Sequence, residues 1–258
     1  MKNKKKTENA GSMGRARVKK RLRAWVLCAA LLPVAALFAA CASETPPETP
    51  PEETAAETEA AVSAYGYDDA DLDAAWDEKT ADARIALNGA GAAVSGSGAA
   101  FADGVVTIDA AGTYVFAGVL DDGQIRIDAG KDAVVRLVLN GVDLHSASGC
   151  VIYAKQAAKT VLVLADGTEN AIADAAVYAD AEEEDAPDAA VFAQDSLTIN
   201  GSGALSVTGN CGNAVEAKDM LVVTGGRISV TAKADGLRGR DGVAIRDGSF
   251  AIQAENDG

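Results

Sequence analysis

Asp195-Ser-Leu-Thr-Ile-Asn-Gly201, Asp219-Met-Leu-Val-Val-Thr-Gly225 and Asp241-Gly-Val-Ala-Ile-Arg-Asp247 are three versions of one heptapeptide, set 24 and then 22 residues apart. Each is followed by a second short apolar run: Leu205-Ser206-Val207, Ile228-Ser229-Val230 and Phe250-Ala251-Ile252. A third segment closes the unit, as in Asn213-Ala-Val-Glu-Ala-Lys218 and Asp235-Gly-Leu-Arg-Gly-Arg240. Three short strands per period of 22–24 residues describe a parallel β-helix in which each repeat is one coil of a solenoid. A strand so short cannot bury its apolar face alone, but stacked about 4.8 Å from an equivalent strand it shares a continuous core. Gly, Asn and Asp between the runs supply the corners. An antiparallel sandwich of short strands is the alternative; regular triplets of unequal corners argue against it. The expectation is an all-β solenoid over residues 76–258.

Residues 1–23 carry ten Lys or Arg, and an apolar stretch, Ala24 to Ala40, follows and ends Ala39-Ala40-Cys41. A basic region, an apolar region and a small-residue cleavage site make a secretory signal. Cys41 after Ala-Ala resembles the lipidation site of bacterial lipoproteins, although Phe38 is unusual three residues before it. An uncleaved anchor is the alternative, weakened by Pro33 and the short apolar length. The expected organisation is a lipoprotein signal over 1–40, a Pro/Glu/Thr-rich acidic tether over 41–75 and the solenoid over 76–258. The tether holds Glu44-Thr-Pro-Pro-Glu-Thr-Pro-Pro51, which stays extended, and the stretch to Asp77 is expected to be poorly ordered until Trp76. Such a chain would be lipid-anchored on the outer face of the cytoplasmic membrane, touching the membrane through that anchor alone. A monomer is expected.

Beyond the signal thirteen basic residues face thirty-seven acidic ones, a net charge near −24. Nucleic acid and anionic lipid are therefore poor partners, and divalent cations good ones. Cys28 falls in the signal, and Cys150 and Cys211 fall two coils apart, too far for a disulfide; both read as buried small hydrophobes. Asn256-Asp257-Gly258 opens a corner like Ala234-Asp235-Gly236 and the sequence then stops. A solenoid needs a covering element on its last coil, so the chain is expected to be C-terminally truncated.

Stacking the coils puts Asn213, Asp235 and Asp257 in one vertical column, with Cys150 and Ala189 as earlier equivalents. Asp195, Asp219 and Asp241 form a second column, and Lys155, Gln194, Lys218 and Arg240 a third beside it. Carboxylates at coil spacing repel by about 0.9 kcal/mol per pair in water and more when partly buried, so something must compensate. Capping of corner backbone, with the basic column alongside, suits Asp195, Asp219 and Asp241. A calcium ion, which selects hard oxygen ligands, suits Asn213, Asp235 and Asp257 better because Gly or Ala follows each. The seven acids between Ala173 and Asp188 read as a solvated loop, with weak calcium collection as the alternative. His145, the single histidine, argues against a Ser-His-Asp or His-metal site and is expected on a coil surface. The sparse aromatics mostly alternate with core positions, so no platform of exposed rings for sugar stacking is evident.

Gly112-Thr-Tyr-Val-Phe-Ala-Gly118, Asp122-Gly-Gln-Ile-Arg-Ile-Asp128, Val138-Leu-Asn-Gly-Val-Asp143, Leu164-Ala-Asp-Gly-Thr-Glu-Asn170 and Ala234-Asp-Gly-Leu-Arg-Gly-Arg-Asp241 together resemble one family. It is the carbohydrate-binding β-helix family of clostridial cell-surface proteins, related in fold to pectate lyases. The resemblance runs from about Trp76 to Gly258. It implies a right-handed β-helix, bound calcium, and affinity for plant-wall polysaccharides, acidic like polygalacturonate or cellulosic. Its acidic calcium ligands correspond to Asp235 and Asp257 and, with Asn in place of the usual Asp, to Asn213.

Three functions follow. The first is a calcium-stabilised polysaccharide-binding module without turnover. The second is a calcium-dependent pectate-type lyase, with Arg238 or Arg240 beside Asp235 as base. The third is a structural spacer. Asp219, Asp241, Arg238 and Arg240 are the secondary candidates for a site.

Overall fold

The computed structural model describes residues 66–179 and 186–258. The signal, Cys41, the Pro-rich part of the tether and Asp180 to Asp185 lie outside the described residues, as do the expectations that rest on them. The described chain opens on a four-residue helix α1 (Asp69–Leu72). Two antiparallel pairs come next, β1 (Ala83–Gly89) with β2 (Ala92–Gly96) and β3 (Ala99–Ala102) with β4 (Val105–Ile108). Every later pairing is parallel.

The strands that follow are β5 (Gly112–Leu120), β6 (Gln124–His145), β7 (Ile152–Leu164), β8 (Glu169–Ala173) and β9 (Ala189–Ala193). Then come β10 (Ser196–Gly201), β11 (Ala204–Gly209), β12 (Asn213–Ala217), β13 (Met220–Val223), β14 (Arg227–Ala232), β15 (Leu237–Gly239), β16 (Gly242–Ile245) and β17 (Ser249–Ala254). Here each strand pairs with the third one after it: β10 with β13 and β13 with β16, β11 with β14 and β14 with β17, β12 with β15. The sheet therefore curls back on itself as a parallel, solenoid-like stack, and side chains two dozen residues apart become neighbours. Leu197 lies opposite Leu221, and Leu221 opposite Val243. Tyr114, Leu137, Leu162, Ile199 and Val223 form a second inner column, each fully buried. The long strand β6 runs through successive bends and so serves three ladders.

The expectation of one solenoid from residue 76 is revised at its front. There β1 exposes no free edge, because it pairs antiparallel with β2 on one side and parallel with β5 on the other. Such closure answers the physical problem of a terminal strand edge.

A second revision concerns the end of the tether. Residues 68–77 are ordered. Asp68 and Asp71 form a capping box on α1, and the segment lies across the outer face of β5, β6, β7, β10 and β13. That face is apolar because Val115, Val138, Val161 and Val163 point outward, and Ala70, Ala74 and Trp76 pack against it. Asp71 is buried, 2.8 Å from Lys159 Nζ. Its backbone carbonyl accepts Thr224 Oγ1. Lys159 also meets Asp68 at 2.7 Å; burial opposes its charge, but the two carboxylates prevail and raise its pKa.

Candidate functional site

The ladder made by the end of β6 with β8, β11, β14 and β17 carries an open groove of about 540 Å3. Its floor follows from strand alternation. Leu205, Val207, Ile228 and Val230 point inward and are buried, so the residues between them point out. Asp143, Ala171, Ser206, Ser229 and Ala251 thus stack in one outward column. Small side chains leave this floor flat and place the backbone near any ligand. Glu169, Ala204, Arg227 and Ser249 form the neighbouring column and give the groove a polar margin. On the other side His145 Nε2 lies 2.8 Å from Asp143 Oδ1. A flat floor of small side chains bearing hydroxyl groups, with carboxylate and guanidinium groups beside it, can bind an extended, hydroxyl-rich polymer. Asn170 braces the base: its Oδ1 accepts the backbone N–H groups of Gly141 and Val142, and its Nδ2 donates to Ala204 O.

The residues singled out by sequence sit on a different face. Asn213 pairs in register with Ala189, and the column continues to Asp235 and Asp257 as a hydrogen-bonded ladder. Asn213 Oδ1 accepts the Asp235 N–H at 2.9 Å, and Asp235 Oδ1 accepts the Asp257 N–H at 3.5 Å. Asn213 Nδ2 donates to Glu216 Oε2 at 2.6 Å, which uses both ends of the buried amide. The other Asp235 oxygen lies 3.7 Å from Arg238. The Asn213 amide is thus engaged within the protein at both ends, and among the described residues no group of three or more His, Cys, Asp or Glu converges as a metal site.

Asp219 and Asp241 stack through the Asp241 N–H bond to Asp219 O, and Arg240 lies 3.9 and 3.8 Å from their carboxylates. Asp195 instead accepts the Ala157 N–H. Cys211 is exposed, against the expectation of burial, whereas Cys150 is buried and bonds to Ile152 O.

Sequence reasoning missed Glu216. It occupies an outward position on β12, opposite Phe192 on one side and Arg238 on the other, yet it is fully buried. Lys218 Nζ binds it at 2.6 Å and Arg238 Nε lies 4.0 Å away. Burial alone would raise its pKa, but hydrogen bonds from Asp188, Lys218 and Asn213 hold it lowered. Asp188 carries the opposite effect: desolvation and the Glu216 carboxylate push it up to about 6. The Val-Glu-Ala-Lys spacing, with Lys two positions on, was the available signal. The acidic loop differs from a solvated one at its start, where Asp174 is buried and accepts Tyr178 Oη at 2.6 Å.

Comparison with known proteins adds the following. The family described as carbohydrate-binding domain-containing protein matches residues 102–258. A carbohydrate-binding domain-containing protein of Acetivibrio thermocellus is 39% identical over 128 residues, 49% of this chain and 45% of the relative. The chain thus spans under half the length of that relative. The solved structure of a polysaccharide lyase-like protein from C. thermocellum, a gadolinium derivative, superposes with a TM-score of 0.60 at 30% identity. That likeness covers 67% of this chain and 82% of the other.

Proposed function

Because the chain belongs to the carbohydrate-binding domain-containing protein family, we propose that it is a non-catalytic module that binds polysaccharide at the cell surface. The groove over Asp143, Ser206 and Ser229 is the observation that carries this reading, since its lining crosses five stacked strands, as an extended polymer would. Plant-wall glycans, acidic or cellulosic, are the proposed ligands. In this reading the solenoid is right-handed with three strands per coil, acts as a monomer, and stands off the membrane on a tether lipidated at Cys41. Retention on polygalacturonate and on cellulose, compared by affinity electrophoresis, tests it. Mobility unchanged by either polymer would overturn it.

Calcium stabilisation is a separable part of the proposal. With Asn213 committed at both ends, an ion would draw on Asp235 and Asp257 with backbone carbonyls. Melting followed with calcium and then with a chelator decides it: a rise of several degrees supports the part, identical midpoints remove it.

The neighbour's description as polysaccharide lyase-like makes a lyase the second reading. Arg238 would be its base, near Asp235 and Glu216. Those two carboxylates already engage the guanidinium, which favours binding without turnover. Appearance of unsaturated product on pectic substrate with calcium would reverse that preference.

A further inference from the structure

A second cavity, of about 260 Å3, lies between the ordered end of the tether and the sheet. We propose that it is a carbohydrate subsite for a neutral sugar ring, an inference that rests on the polysaccharide-binding reading and brings Leu72 and Trp76, which precede the family match at residue 102, against residues inside it. Its apolar walls are Leu72, Ala74 and Trp76. Trp76 is half-buried, packed on the valine face. Its indole offers an apolar surface of the kind that receives the C–H face of a pyranose, while ring hydroxyls turn to polar neighbours.

Those neighbours are mostly acceptors. Asn200 lines the cavity and is 1% exposed. Its Nδ2 donates to Asp73 O at 3.1 Å and Asp71 O at 3.4 Å, which fixes the amide orientation. Its Oδ1 then has no hydrogen-bond partner among the described residues. That oxygen is itself shielded; left unpaired it costs about 1–3 kcal/mol, which a ligand hydroxyl reaching it past the rim would recover. Asp166, on the same rim, accepts Ser202 Oγ at 2.7 Å and keeps further lone pairs. A site rich in acceptors and bearing a carboxylate selects O–H donors and repels uronates and phosphates. The ligand class is therefore a neutral glycosyl unit, unlike the acidic glycans that remain candidates for the groove.

Trp76 also reports on the site. The chain has two tryptophans, and the other is Trp25 near its start. In the full chain carrying Trp25→Phe, emission is titrated with cellohexaose and with hexagalacturonate, beside retention on insoluble polysaccharide. The expected result is a saturable emission change with cellohexaose and none with hexagalacturonate. Asp166→Ala, an exposed position that leaves the Trp76 packing intact, should weaken the response about tenfold through loss of a charge-assisted hydrogen bond. Ser229→Arg, which obstructs the groove, should leave the response in place. Retention on polysaccharide with silent Trp76, or an equal response to hexagalacturonate, overturns the inference and leaves the groove standing. Loss of both retention and response overturns both.

Discussion

At the scale of single residues, the molecule uses side-chain amides and carboxylates to splice one coil to the next. Asn170 makes three bonds to two other segments from one buried position. Asn170→Ala would leave the Gly141 and Val142 N–H groups and the Ala204 carbonyl without their partner, so unfolding in urea should show a loss of about 3 kcal/mol.

Asp188 titrates in the opposite sense to most surface acids. An unfolded aspartate ionises near 3.9, whereas desolvation and the adjacent Glu216 carboxylate hold the folded one near 6. The folded state therefore binds more protons between about pH 4 and pH 6. Its contribution is complete below that window and is lost as pH rises through it. Asp188 is exposed to solvent, which screens the effect to about 1 kcal/mol. Asp188→Asn should accordingly raise the melting temperature at pH 7.5 and leave it unchanged near pH 4. Glu216, held lowered in part by Asp188 itself, gives the reverse slope. Sequence made Asn213, Asp235 and Asp257 visible because they recur at coil spacing; Glu216 and Asp188 do not recur, and their encounter needs the return of a long loop.

At the scale of elements, the strands were legible and the segment before them was not. Leu197, Leu221 and Val243 advertise their stacking through the repeat itself. Residues 68–75 look like more acidic tether, and nothing in their composition shows that they pack. The complementary signal lay in β7, where Val161-Leu-Val-Leu164 is apolar on both faces rather than alternating. A strand buried on both sides needs a cover. The antiparallel pairs β1–β2 and β3–β4 escaped for a related reason, since end coils depart from the repeat.

The cover is held by ion pairs that are themselves buried. Asp71→Ala would strand the Lys159 ammonium, whose side chain is 14% exposed, and remove a partner of Thr198. Loss of one member of a buried pair costs about 3–5 kcal/mol; Asp68, still 2.7 Å from Lys159, places the expected loss at the lower end. Amide hydrogen exchange should locate the change in residues 68–77 and the outer face of β7 and β10. Uniform loss of protection over β14 and β17 instead would show that the segment is not a separate cover.

At the scale of the whole described molecule, stacking turns a pattern along the chain into a surface across it. Ser206 and Ser229 are unremarkable in sequence, each set between two inward apolar residues. Registered one above the other with Ala171 and Ala251, they make a floor that no single repeat contains. This explains why a sequence reading finds the solenoid readily and the groove hardly at all: inward residues must be apolar and repeat, while outward ones may vary. It also separates binding from stability, because the floor lies outside the core. Ser229→Arg places a long side chain where a polymer would lie and disturbs no buried contact, so its melting temperature should stay within about 1 °C of the parent. Retention on polysaccharide should fall at least tenfold if the polymer crosses the middle of the stack. Retention equal to the parent, with an unchanged melt, would move the polymer off this face altogether.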